Sequence, residues 1–148
     1  MPEEKLPVLR RRKIQLLNSN PAEAAKAVNL VYVSDTQPGI SRIKKGKSFL
    51  YVAGDKPVKE KDELARIQSL VIPPAWENVW ICLLPNGHLQ ATGMDALKRK
   101  QYRYHSLWNL LRNETKFQKL YDFGKALPAI RLAMEKDLSL QGLPQRKV

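Results

Sequence analysis

Residues 40–53, ISRIKKGKSFLYVA, decide the fold of this chain. The runs 40–44 and 48–53 are rich in β-branched and aromatic residues, and Lys45-Gly46 lies between them where a tight turn would bend the chain. The stretch therefore predicts a β-hairpin, and with it an antiparallel sheet. The hairpin is also strongly basic, because its charged side chains are Arg42, Lys44, Lys45 and Lys47.

On the N-terminal side of the hairpin the pattern changes twice. Residues 30–33 (LVYV) predict a short strand, and residues 21–28 predict a short helix that begins with Pro21 after an Asn20 N-cap. Residues 1–20 are polar and contain the run Arg10–Lys13, whose like charges repel one another. We expect this part to be a mobile basic arm.

On the C-terminal side, residues 60–71 have helical spacing, with Leu64, Ile67 and Val71 in one apolar stripe. Pro73-Pro74 would end this helix because proline cannot donate a backbone hydrogen bond. Residues 79–84 and 88–92 then predict two strands around a turn at 85–87. Trp76 and Trp80 are expected to pack the sheet against the helix.

After His105 the chain is helical in pattern. One predicted helix begins after Ser106 and ends at Gly124, and a second runs from about Leu127 to Leu138. The whole pattern predicts an α+β fold: a small, mostly antiparallel sheet with one or two helices, followed by a helical segment. The expected domains are an arm and short helix at 1–29, a β-rich domain at 30–105, and at 106–148 the start of a larger helical domain.

Composition narrows the function classes. The chain has 26 Lys and Arg against 14 Asp and Glu, a net charge of +12, which indicates a polyanionic partner; a basic surface without a partner is the alternative. Cys82 is the single cysteine and lies in an apolar run, which excludes an internal disulfide and favours a buried small side chain over a nucleophile. There is no run of apolar residues long enough to span a membrane.

Residues that would form an active site are not apparent. His88 and His105 have no cysteine or acidic cluster beside them, and neither a phosphate-binding glycine loop nor a Gly-x-Ser-x-Gly elbow occurs. We therefore predict no metal site, no cofactor and no catalytic residue. The residues alone indicate a nucleic-acid-binding α+β module.

The segment 98–105, KRKQYRYH, is the best candidate for the binding surface. Its cations suit phosphates, and its tyrosines and glutamine suit bases and backbone. In a strand, Tyr102 and Tyr104 would share one face while Gln101 and Arg103 share the other. Either the segment leaves strand geometry near residue 101, or only one face contacts the ligand. The alternative is that the tyrosines are half-buried sheet residues and the cations are merely solvated.

A series of motifs, taken in order, resembles the N-terminal part of bacterial, poxvirus-like type IB DNA topoisomerases. The resemblance covers about residues 30–148. The motifs are Pro38-Gly39-Ile40 with Arg42, Ile72–Trp76, Val79–Ile81, Gly87–Gly93, Asp95-Ala96, Arg99–His105, Phe123-Gly124 with Leu127-Pro128 and Arg131, and Asp137-Leu138 with Gly142-Leu143-Pro144. The sequence departs from the family pattern at Leu97, where a glycine often precedes the basic pair.

The resemblance implies a clamp around duplex DNA, made of a small β-rich domain and a helical catalytic domain. Gln101, Tyr102 and Tyr104 would lie in the major groove, and the expected DNA contacts also include Lys98, Arg99, Lys100, Arg103, Arg42 and Lys44. It implies relaxation of supercoiled DNA through a 3′-phosphotyrosyl intermediate whose catalytic groups lie downstream of the matched region. The expected partners are duplex DNA and the catalytic domain of the same protein.

We further expect a monomer in the bacterial cytoplasm, associated with the nucleoid. Two alternatives remain open at this point. The chain could be a stand-alone, non-catalytic nucleic-acid-binding protein, or it could be an RNA-binding β module.

Overall fold

A computed structural model of the chain describes residues 20–140. They belong to two compact units, one up to Leu111 and one from Arg112 onward. The predictions for the basic arm at 1–19 and for the motif Gly142-Leu143-Pro144 lie outside the described residues.

The first unit is built on a six-stranded antiparallel sheet of order β3-β2-β1-β4-β5-β6. The α+β prediction is confirmed. The strands are β1 (Ile40–Lys45), β2 (Ser48–Ala53), β3 (Lys56–Pro57), β4 (Glu77–Ile81), β5 (Leu89–Met94) and β6 (Lys100–Tyr104), and the helices within residues 20–140 are α1 (Pro21–Ala27), α2 (Lys61–Ser69) and α3 (Ser106–Leu138).

The hairpin that decided the fold is present as predicted. Ile40 pairs with Ala53 and Lys45 pairs with Ser48, and Gly46 bends the chain with a φ of 61° that glycine adopts without strain. The predicted strand at 79–84 instead begins at Glu77 and ends at Ile81. It ends early because the Leu84 carbonyl accepts bonds from Gly87 N and from the Gln90 side chain, which forms a turn there.

Helix α2 packs on one face of the sheet, which we call the helix face. Ile67 of α2 is buried with Ile40, Val79, Ile81 and Ala91, and Trp76 packs against this cluster. Two expectations were wrong here. Val71 lies beyond the helix with a φ of 48° and is exposed, and Trp80 packs on the opposite face beside Val33, Cys82 and Leu89. Trp80 lies on that side because its strand neighbours Val79 and Ile81 occupy the helix face, and its ring N–H donates to the Gln37 carbonyl at 2.9 Å.

Helix α1 packs against the first turns of α3. The Asn20 side chain accepts from the backbone of Ala22 and Glu23, which confirms the predicted N-cap. Ala24, Ala25, Val28 and Leu30 form a buried cluster with Trp108 and Leu111. The predicted strand at 30–33 is wrong: only Val31 makes a bridge, to Gly87, because the Val33 N–H is taken by the His88 ring at 3.1 Å.

Helix α3 is continuous through Gly124 and Pro128, where two helices were expected. The proline at 128 forfeits the backbone hydrogen bond to the Gly124 carbonyl, four residues earlier, yet the helix continues past it to Leu138. In the second unit the apolar side chains Phe117, Leu120, Phe123, Leu132 and Met134 are all exposed. Among the described residues, no helix is long and apolar enough to cross a membrane.

Candidate nucleic-acid interface

Strand β6 places the two candidate tyrosines together on the sheet face opposite α2. Tyr102 of β6 pairs with Thr92 of β5, and Thr92 pairs in turn with Trp80 of β4. These three side chains therefore lie on the same face of the sheet. The rings of Tyr102 and Tyr104 are nearly parallel, at 11°, with centroids 6.0 Å apart, and are 47% and 39% exposed. We call the surface formed by Thr92, Lys100, Tyr102 and Tyr104 the tyrosine face.

Gln101 and Arg103 lie on the helix face instead. Strand geometry continues through residue 101, because Gln101 pairs with Gly93 and Arg103 pairs with Ala91. The Gln101 amide donates to Asp95 at 2.9 Å, and Arg103 donates to the Val71 carbonyl at 3.2 Å with its guanidinium over the Trp76 ring. The segment therefore does not leave strand geometry near residue 101, which was one of the two alternatives. Its tyrosines lie on one face of β6, and Gln101 and Arg103 lie on the other.

Arg42 of β1 also lies on the helix face, where it holds the segment between α2 and β4. Its guanidinium donates to the carbonyls of Ile72 at 3.3 Å, Pro73 at 2.9 Å and Trp76 at 2.7 Å. Partial burial lowers the pKa of Arg42, although a guanidinium stays charged at any physiological pH. This arginine is built into the fold, whereas Lys44, two residues further along β1, is exposed.

Each of the three cations before Gln101 is paired with a carboxylate. Lys98 contacts Glu77, Arg99 contacts Asp95 at 2.9 Å, and Lys100 contacts Asp35 at 2.5 Å. Both side chains of the Lys98–Glu77 ion pair are exposed, so water strongly screens the attraction between them. The Asp35 side chain is only 19% exposed and also accepts from the Thr92 hydroxyl at 3.1 Å.

These pairs shift the acid–base equilibria in the expected directions. The hydrogen bond from Lys100 lowers the pKa of Asp35, and the same bond raises the pKa of Lys100. The pKa of Asp95 is lowered chiefly by the backbone N–H of Arg99. The hydrogen bond from Lys98 likewise lowers the pKa of Glu77. All three carboxylates are therefore ionised at neutral pH, and the basic segment carries its own counter-charges.

The turn between β5 and β6 is organised by Asp95. Its carboxylate accepts from the backbone N–H groups of Leu97 and Arg99, and its carbonyl accepts from Lys98 N at 2.9 Å. Lys98 has the left-handed φ of 59° in this turn. The family glycine is replaced by Leu97 in this chain, but the residue whose left-handed backbone would favour glycine is its neighbour Lys98.

An aromatic group continues the tyrosine face toward the N-terminal part of the domain. The buried His88 ring stacks on Tyr32 at 4.2 Å, meets Trp108 edge-on at 4.7 Å, and lies 6.1 Å from Tyr104. Because Nδ1 of His88 accepts the Val33 N–H, the neutral ring carries its proton on Nε2. Burial lowers the pKa of His88 and keeps the ring neutral.

The described residues contain no group of three His, Cys, Asp or Glu side chains that could hold a metal ion. Cys82 is buried, and burial raises the pKa of its thiol, so it is a packing residue rather than a nucleophile. What this surface offers a ligand is cations, hydroxyls and exposed aromatic rings.

Sequence reasoning missed two groups that shape the surface. Asp35 lies far from Lys100 along the chain, and no local sequence motif predicts that they form an ion pair. Arg66 was also missed; it donates to Glu63, to Gln90 at 2.6 Å and to the Cys82 carbonyl at 2.6 Å, which ties α2 to the β4–β5 connection.

A six-stranded antiparallel sheet with a helix on one face, in a chain of net charge +12, defines the class of basic α+β domains. Within that class, residues 48–95 match the family model for the N-terminal domain of bacterial DNA topoisomerase IB. The matched range includes the hairpin partner β2, helix α2 and strands β4 and β5, and it ends before β6.

The chain is also 45% identical over 101 residues to a DNA topoisomerase 1B of Acanthamoeba polyphaga mimivirus. The match covers 67% of this chain and 30% of the viral protein, so the chain spans less than a third of that relative's length. The two matches assign the chain to the N-terminal region of type IB DNA topoisomerases.

Proposed function

We propose that this chain binds duplex DNA through its tyrosine face, as the N-terminal part of a type IB topoisomerase. The observation that carries the proposal is the parallel, exposed pair Tyr102 and Tyr104 beside Lys100, on the sheet face that α2 leaves open. Phenol hydroxyls can donate to phosphates, and cations neutralise them. The net charge of +12 and the kinship with topoisomerases support DNA as the polyanion.

The roles of the candidate residues differ under this proposal. Tyr102, Tyr104, Lys98, Arg99 and Lys100 are the DNA contacts, and Lys44 is a peripheral one. Arg42 and Arg103 act through the fold, because their guanidinium groups are bonded to backbone carbonyls on the helix face. Gln101 can reach a base edge only by exchanging its bond to Asp95, which lies at the adjoining turn.

Strand cleavage and rejoining would belong to the rest of the whole protein, because this chain covers 30% of the viral relative. The exposed apolar side chains of the second unit, among them Phe117, Leu120 and Met134, would pack against that remainder. We expect the chain alone to bind duplex DNA and to leave supercoiled plasmid unrelaxed. Plasmid relaxation by the purified chain would contradict this division of roles.

The binding proposal is tested by removing one hydroxyl from each face of the sheet. Tyr102→Phe should weaken duplex binding by about fivefold to tenfold, which corresponds to the roughly 1–1.4 kcal/mol of one ordinary, water-accessible hydrogen bond. Tyr51→Phe is the matched control, because Tyr51 packs against the core cluster of the helix face. Equal affinities for the two variants, measured by fluorescence anisotropy at fixed salt, would contradict the proposed surface.

A further inference from the structure

The Asp35–Lys100 contact places a carboxylate inside a surface otherwise suited to phosphate. Lys100 Nζ lies 2.5 Å from Asp35 Oδ2, and the same oxygen accepts from the Thr92 hydroxyl at 3.1 Å. The Lys100 ammonium also lies 5.7 Å from the centre of the Tyr102 ring. The carboxylate is thus anchored next to the tyrosine face and holds a cation that the proposed function gives to DNA.

The other two ion pairs of the segment differ from this one. Both partners of the Lys98–Glu77 pair are more than 60% exposed, so they separate at little cost. Asp95 accepts from the backbone of its own turn and stays satisfied when the exposed Arg99 leaves. Asp35 is mostly buried, and the lysine is the main source of positive charge against it.

We propose that Asp35 is a built-in counter-ion for Lys100 that competes with DNA phosphate and so limits affinity for duplex DNA of any sequence. This inference rests on the proposed function. When Lys100 moves to a phosphate, one cation leaves the DNA while the freed Asp35 attracts another from solution. The lysine therefore adds little to the net ion release that drives non-specific binding.

The consequence is a coupling between the two residues in the salt dependence of binding. Asp35→Asn keeps an oxygen that accepts from Thr92 and abolishes cation uptake, so the slope of log K against log salt should steepen by about 0.9. The affinity should tighten by about threefold to tenfold near physiological salt. Lys100→Gln should leave the slope nearly unchanged in the native background and flatten it by about 0.9 when residue 35 is asparagine.

The experiment is this double-mutant cycle, with Asp55→Asn as the control of equal charge. Asp55 lies in the turn between β2 and β3, away from β6 in the strand order. While Lys100 is present, Asp35→Asn should give a steeper slope of log K against log salt and a higher affinity than Asp55→Asn. In the Lys100→Gln background the two variants should match. The counter-ion role is overturned if Asp35→Asn matches Asp55→Asn, or if it weakens binding. If the native chain shows no salt-dependent duplex binding, the proposed function itself fails.

A second measurement uses the native chain and so does not depend on how the variants fold. The carboxyl carbon of Asp35 can be titrated by NMR with and without a short duplex. Because the hydrogen bond from Lys100 is the largest of the interactions that lower the pKa of Asp35, transfer of the lysine to phosphate should raise that pKa. An unchanged pKa in the complex would contradict the exchange.

Discussion

The role of Arg42 yields a prediction that separates folding from DNA binding. The side chain donates to three carbonyls of the segment that joins α2 to β4, and the bonds to Pro73 and Trp76, at 2.9 and 2.7 Å, are short. The bond to Ile72, at 3.3 Å, is long and counts for less. Arg42→Gln cannot reach all three carbonyls and leaves partly buried acceptors without their donor.

The expected loss of stability follows from these two short bonds. A hydrogen bond from a charged donor contributes about 1.5–3 kcal/mol, and partial access of water to the segment puts each bond at the low end or below it. We therefore expect Arg42→Gln to lower the free energy of unfolding by about 2–3 kcal/mol. For a domain of this size, that corresponds to a fall in Tm of roughly 10–20 °C.

The assay is urea unfolding followed by tryptophan fluorescence, since Trp76 lies at the end of the held segment. Lys44→Gln is the matched control, because Lys44 is an exposed cation two residues along the same strand and should cost less than about 0.5 kcal/mol. Arg42→Lys keeps the charge but loses the planar fork, and should resemble Arg42→Gln. Equal stability of the Arg42→Gln and Lys44→Gln variants would refute the structural role.

Three further predictions concern the pH response, packing and base preference. Burial lowers the pKa of His88 below its ordinary value of 6.5, so the unfolded chain takes up a proton at a higher pH than the folded chain does. The free energy of unfolding should therefore be flat above about pH 7 and fall below pH 6.5 by up to about 1.4 kcal/mol per pH unit. Urea unfolding at a series of pH values measures this fall, and its absence would contradict a neutral buried ring. Gly39→Ala should cost about 1–3 kcal/mol, because its Cβ would collide with the Trp80 ring nitrogen. A thermal melt like that of the native chain would contradict this packing. Gln101→Ala should leave the salt slope of duplex binding unchanged and relax any base preference. An equal loss of affinity for duplexes of every sequence would instead make Gln101 a contact to the DNA backbone.

The parts of the fold that local signals determine could be predicted from the sequence. The hairpin follows from two strand-like runs around Lys45-Gly46, and α1 follows from Asn20 and Pro21, because turn and cap chemistry act over a few residues. The sharing of one face by Tyr102 and Tyr104 follows from the period of a strand.

Features set by distant partners could not be predicted in this way. The hydrogen bond that holds the Trp80 ring depends on the Gln37 carbonyl, and the ion pairs of Lys98 and Lys100 depend on Glu77 and Asp35 from other elements. The break expected at Gly124 does not occur, since a glycine in a helix costs only about 1 kcal/mol and need not end it.

The central claim is that duplex DNA binds the tyrosine face of the sheet. It is tested most directly by mapping amide chemical shifts of the chain while a short duplex is titrated in. The changes should centre on β6 and the turn before it, at Lys100, Tyr102 and Tyr104, and should be small for α2 and for Arg42. Changes centred on α2 or on the β1–β2 turn, with β6 unaffected, would contradict the claim.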